Sequence, residues 1–112
     1  MKIPEDGKLL RIFIGEQDKW DHEPLYQAIV QLAKKEGLAG ATAIKGFLGF
    51  GCHSRLHTAK LLRLSEDLPI IIEIVDSEAK IQAFLPKLDE MVKDGLITLE
   101  KATVVMYRAN AV

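Results

Sequence analysis

Between Lys45 and Lys60 the chain reads KGFLGFGCHSRLHTAK, so that Gly46, Gly49 and Gly51 precede Cys52, His53, Ser54, Arg55, His57 and Thr58. Glycine allows positive φ and close approach of the backbone to a ligand. The side chains that follow supply hydrogen-bond donors. This combination suits an anion held by main-chain amides and cationic side chains. The charge distribution agrees: no Asp or Glu occurs between Gly37 and Ser65, whereas Lys45, Arg55, Lys60 and Arg63 all fall inside. In a chain of formal net charge −1, this is a local cationic island, and it predicts a negatively charged ligand.

Neither named phosphate motif is complete. Gly46 and Gly51 have P-loop spacing, but Cys52-His53 stands where Lys-Ser/Thr is required. The dinucleotide fingerprint fails because Ser54, not glycine, follows Gly49-x-Gly51 at the required distance. What remains is a backbone nest beside Arg55 and Lys60, with a hairpin carrying glycine bulges as the structural alternative.

Two other chemistries use the same stretch. Cys52, His53 and His57 are metal-ligand types, and the two histidines would share a face of a helix. A structural zinc site wants four ligands, and three are present locally. Cys52 or Ser54 beside His53 resembles a nucleophile next to a base, but no orienting acid lies nearby. Asp89-Glu90 reads as a solvated helix face, so no catalytic residue is assigned. Trp20, Tyr26 and Tyr107 could stack on a nucleobase. Tyr26 lies next to an apolar helix stripe and reads as core, Trp20 sits in a polar loop, and Tyr107-Arg108 forms an aromatic–cation pair able to reach a neighbouring subunit.

The elements that must position these residues follow from hydrophobic periodicity. Leu9–Ile14 reads as a first strand ended by Gly15. Pro24 introduces a helix with Leu25, Ile29, Leu32 and Ala33 on one face, stopped by Gly37 and favoured at its start by Asp21 or Glu23. Ala41–Phe50 reads as a second strand running into the glycines, and Pro69–Val75 as a third, apolar on both faces. Asp76 or Ser77 caps a second helix with Ile81, Phe84, Leu85, Leu88, Met91 and Val92 inward. Pro86 is expected to kink or split it, and Gly95 ends it. Leu96–Leu99 and Thr103–Tyr107 form a last strand region broken near Glu100–Lys101. The order β-α-β-β-α-β is the α+β, ferredoxin-like arrangement of an antiparallel sheet with two helices on one face. The doubly apolar strands predict that the other face is buried against another subunit.

With 112 residues, 48% hydrophobic and 28% charged, one soluble domain is expected over the whole chain. The charge balance argues against sequence-independent nucleic-acid binding. The apolar runs are too short to span a bilayer, and MKIPEDGK lacks the apolar core of a signal peptide. The single cysteine fits a reducing cytosol, so a cytoplasmic protein is expected.

GLAGATAIKGFLGFG at Gly37–Gly51 resembles the second-strand region of PII signalling proteins, in which a Gly-x-x-Gly helix exit leads through a strand to a Lys-Gly-Phe-Gly start of the T-loop. The chain resembles more closely the small PII-like family of unknown function in the same superfamily. The similarity runs through IFIGE at Ile12–Glu16, PLY at Pro24–Tyr26, HSRLHT at His53–Thr58, LRLSEDLP at Leu62–Pro69, IEIVD at Ile72–Asp76 and LPKLDEM at Leu85–Met91. The resemblance implies a non-catalytic homotrimer that binds adenine nucleotides between subunits and regulates a partner protein, a transporter or channel being a candidate, through its T-loop. It implies nucleotide contacts from Gly46, Gly49, Phe50 and Gly51, from His53, Ser54 and Arg55, from Gly95, and from Arg108. The segment after Gly51 is shorter than a full T-loop, and the loop after the second helix is reduced to KDGLITLE at Lys93–Glu100. Fewer cations favour ADP or AMP over ATP. Cation-tolerance relatives in the superfamily supply the alternative of metal binding through Cys52, His53 and His57.

Overall fold

A computed structural model of the chain describes residues 6–51 and 67–109. Its main sheet has strands β1 (Asp6–Gly15), β4 (Thr42–Lys45), β5 (Pro69–Ser77) and β6 (Leu96–Thr103) in the order β4-β5-β1-β6. Each neighbouring pair is antiparallel. Helices α1 (Leu25–Lys35) and α2 (Glu78–Met91) connect the strands. This is the expected ferredoxin-like arrangement.

Strict period-two alternation builds the core. Leu10, Ile12 and Ile14 of β1 and Ile70, Ile72 and Ile74 of β5 are all buried, and the register sets Leu10 opposite Ile74 and Ile12 opposite Ile72. Onto this face pack Leu25, Ala28, Ile29 and Ala33 of α1 and Ile81, Phe84, Leu88 and Met91 of α2. Leu85, Val92 and Tyr26 are partly buried at the rim of the core.

Local signals set the helix ends. Gly37 takes φ +79°, and the N–H groups of Gly37 and Leu38 donate to the carbonyls of Lys34 and Ala33. That is a Schellman ending, with Leu38 buried beside Ala33. Ser77 caps α2, its Oγ accepting from Lys80 N–H at 3.2 Å. The carboxylates of Asp21 and Glu23 do not lie in the first turn of α1. They belong to a small hairpin of β2 (Lys19–Trp20) and β3 (Glu23–Pro24), whose central residues Asp21 and His22 both have positive φ. Trp20 is therefore a hairpin residue.

Three expectations are corrected. α2 is not split at Pro86: the proline is exposed, so the carbonyl deprived of its helical partner lies on the solvent side of the helix. The second strand ends at Lys45, well before Phe50, because Gly46 and Gly49 turn against Pro69. The last strand runs unbroken from Leu96 to Thr103, carried through Glu100-Lys101 by pairing with Leu9 and Lys8.

The sheet face opposite the helices is half covered at most. One cross-strand row on it, Ile44–Ile71–Phe13–Leu96, is apolar. The next, Thr42–Glu73–Arg11–Thr98, is polar. Arg11 donates to Glu73 at 2.9 Å and to Glu100 at 2.6 Å. Its pKa is raised, chiefly by the hydrogen bond to Glu73; burial opposes the shift, and the charges of Glu100 and Glu73 add to it. Strand β5 is thus fully buried on one face only.

Candidate functional site

Hydrogen bonding along the central strands gathers one group of glycines at one end of the sheet. Lys45 closes β4 opposite Ile70, and Gly46 N–H donates to Pro69 O at 2.8 Å. Across β5, Gly15 pairs with Pro69, and across β1, Phe13 pairs with Leu96, which follows Gly95. Gly46, Gly49 and Gly95 therefore share this end of the sheet.

Their glycine identity has a packing cause. A Cβ at Gly46 would stand 2.8 Å from Pro69 Cγ, and one at Gly49 would stand 2.9 Å from the same atom. At Gly95 it would meet Phe13 O at 2.7 Å. A Cβ at Gly51 would meet no atom of the described residues within 4 Å. Among the described glycines only Gly37 has positive φ, so Gly46, Gly49 and Gly51 are not placed in the left-handed region that the sequence alone allowed. A proline ring, not a left-handed turn, fixes the path from Lys45 to Gly49.

The same end carries a set of fastenings. Glu16 N–H donates to Leu68 O at 2.8 Å, and Gln17 N–H to Asp67 Oδ1 at 3.0 Å. Glu16 Oε2 pairs with Lys45 Nζ at 2.8 Å. The turn after β1 thus holds both the end of β4 and the start of β5. Beyond Gly46, Phe47, Leu48 and Phe50 are exposed. Among the described residues, the N–H groups of Phe47 through Gly51 donate to no backbone carbonyl.

Arg108 is placed elsewhere. The two ends of β6 lie roughly 23 Å apart at ~3.3 Å per residue, and Arg108 follows the far end, exposed. There the segment after Thr103 packs Val104 against Gly7, with Val104 Cγ2 3.0 Å from a Cβ built on that glycine. It is tied down where Tyr107 OH donates to Ala39 O at 2.7 Å. Ala39 N–H in turn donates to the buried Asp76 at 2.8 Å. Between this segment and the open sheet face lies a groove of about 630 Å3, with Leu9, Val75, Thr42 and Glu73 on its floor and Met106 and Tyr107 on its wall. Within one chain, then, the glycines and Arg108 are not brought together.

Cys52, His53, Ser54, Arg55 and His57 lie outside the described residues. Among the described residues no cluster of three His, Cys, Asp or Glu side chains gathers that could hold a metal, and His22 is an exposed turn residue. No helix among the described residues is long and apolar enough to cross a membrane. Sequence reasoning missed Pro69 as the wall behind two glycines and Glu16 as the partner of Lys45. Each pair joins segments remote in sequence, and residue type alone carries no signal for it.

This sheet order, with both helices on one face, defines an α+β protein of the ferredoxin-like class. The chain belongs to the DUF190 family, described as "Uncharacterized ACR, COG1993", which matches residues 7–104. It is 39% identical over 98 residues to a UPF0166 protein of Aquifex aeolicus, covering 88% of this chain and 92% of that relative. It is 43% identical over 94 residues to a UPF0166 protein of Methanocaldococcus jannaschii, covering 83% of this chain and 86% of the relative. The fold is similar to that of the solved structure of CPII from Thiomonas intermedia K12 bound to ADP, AMP and acetate, with a TM-score of 0.57 and 17% identity over 95% of this chain and 94% of that one.

Proposed function

We propose that this chain is a non-catalytic, cytoplasmic PII-like regulator that binds an adenine nucleotide, ADP or AMP ahead of ATP, in clefts between the subunits of a homotrimer. The observation that carries the reading is the glycine-rich root at Lys45–Gly51, where a cation adjoins a run of backbone N–H groups that have no carbonyl partner among the described residues, at the same end of the sheet as Gly95. Such an arrangement accepts an anion. Similarity in fold to CPII, whose solved structure holds ADP and AMP, supports the nucleotide as that anion.

Association between subunits enters the reading for two reasons. The row Ile44–Ile71–Phe13–Leu96 leaves apolar surface on the open face, with Ile44 and Leu96 exposed, and association would remove it from water. Arg108 stands at the opposite end of the sheet from the glycines, so it reaches a nucleotide at Gly46–Gly51 only from a neighbouring subunit. His53, Ser54 and Arg55 complete the site in this reading on sequence grounds. Nucleotide binding would shift the population of the loop they belong to and so its affinity for a partner protein.

Calorimetric titration of the intact protein with ADP, AMP and ATP tests the reading, together with the molar mass in solution. Micromolar binding of ADP or AMP to a trimer is expected. An absence of heat with all three nucleotides would sink it.

A further inference from the structure

Of the four cations in the island between Gly37 and Ser65, Lys45 alone lies among the described residues, and its ammonium is engaged. Glu16 Oε2 sits 2.8 Å from Lys45 Nζ, with the lysine side chain about half exposed and the glutamate about a quarter exposed. The lysine ends the edge strand β4 immediately before Gly46 and Phe47–Gly51, whose N–H groups donate to no backbone carbonyl among the described residues. The main chain of the glutamate is anchored, since Glu16 N–H donates to Leu68 O. Its carboxylate occupies the one described cation that adjoins the glycine root.

We propose that Glu16 is a built-in competitor for the anion, and that Lys45 exchanges the Glu16 carboxylate for a phosphate of the bound nucleotide. The inference rests on the nucleotide reading and adds to it a phosphate-binding residue and the contact that holds that residue back. A carboxylate and a phosphate oxygen are both anionic acceptors for an ammonium, and a doubly charged phosphate outbids a single carboxylate once it is placed by backbone amides. An uncharged nucleoside offers Lys45 nothing to exchange for. Glu16 thereby sets a threshold: ligands carrying phosphate displace it, and those without phosphate do not. Released from Lys45, the turn at Glu16 keeps its hold on Leu68 but loses its hold on the end of β4. The exchange therefore removes one fastening of the glycine root, while Gly46 N–H keeps its bond to Pro69 O.

The test is a set of calorimetric titrations with ADP and with adenosine at low ionic strength, on the wild-type protein and on Glu16→Gln, Lys45→Met and Lys45→Arg. Each variant is first checked for an unchanged melting temperature to within a few degrees. Glu16→Gln is expected to bind ADP about two- to fivefold more tightly, the range in which exposed ion pairs act. Lys45→Met is expected to bind ADP about tenfold more weakly, as for loss of a charged hydrogen bond, and Lys45→Arg to recover most of that loss. Adenosine affinity should be the same throughout. If the wild type binds ADP but the variants do not change its affinity, or if ADP and adenosine affinities change in parallel, the exchange is overturned while the nucleotide reading stands. If the wild type binds no ADP, the nucleotide reading falls and takes the exchange with it.

Discussion

The contact of Gly46 and Gly49 with Pro69 allows the packing role of these glycines to be separated from any role at a ligand. An alanine at 46 places Cβ 2.8 Å from Pro69 Cγ, and an alanine at 49 places it 2.9 Å away. Both are closer than real methyl contacts, and the obstacle is a ring atom that can shift only by a change of ring pucker. Overpacking of this kind costs about 1–3 kcal/mol. Neither glycine has positive φ, so the reduced freedom of the unfolded chain returns about 0.4–1 kcal/mol. Gly46→Ala should thus lose about 1–2 kcal/mol, or about 4–8 °C in Tm for a domain of this size. Gly51→Ala, with nothing within 4 Å among the described residues, should be neutral or slightly stabilising. Pro69→Ala removes the Cγ that both alanines meet. In the Gly46→Ala/Pro69→Ala double variant the clash is gone, and a coupling of about 1 kcal/mol in favour of the pair is expected. Urea denaturation of the four members of the cycle, with Gly51→Ala as control, measures it. Additive losses, or equal effects of Gly46→Ala and Gly51→Ala, would refute the steric account and return these glycines to a ligand-approach role.

Gly95→Ala should be the costliest of the glycine changes, about 2–3 kcal/mol, because its Cβ would meet the Phe13 carbonyl of the central strand at 2.7 Å; a loss no larger than that of Gly51→Ala would contradict this. Asp76→Ala leaves the Ala39 N–H without its 2.8 Å acceptor beside a buried site, and thermal denaturation should show a loss of about 1–3 kcal/mol. Ile44→Lys lies on the open face and is exposed in the single chain. Chain stability should change by no more than about 0.5 kcal/mol, while light scattering should show the expected trimer reduced to monomers. Because the folded pKa of Arg11 is raised, the stability from its pairing is fully present below the ordinary arginine pKa and is lost only as pH rises through the raised value. The stability difference between wild type and Arg11→Met should therefore be constant from pH 6 to 10, and a drift across that window would falsify the assignment.

Period-two and period-three-to-four patterning, read on single segments, was enough for the element order. The isoleucines of PIIIEIV, the stripe Leu25–Ile29–Ala33 and the cap at Ser77 each carry their own signal, because burial on one face imposes a spacing on residues that are neighbours in the chain. Length and continuity were less legible. Pairing with Leu9 and Lys8 carries β6 through Glu100-Lys101, and a proline on a solvent-facing turn leaves α2 whole. In both cases the deciding surroundings, strand or solvent, are absent from the local sequence.

The chemistry-bearing run divides in the same way. Sequence by itself determined that Lys45–Gly51 is glycine-rich, cationic and free of acids, and that it leaves a strand. Only the tertiary structure decided that Gly46 and Gly49 are small because Pro69 stands against them, that Lys45 is already held by Glu16, and that Arg108 ends at the far side of the sheet. Residue type determines what a side chain can bind. Its partner depends on which distant segments the sheet brings within about 3 Å, and that distance is a property of the folded chain.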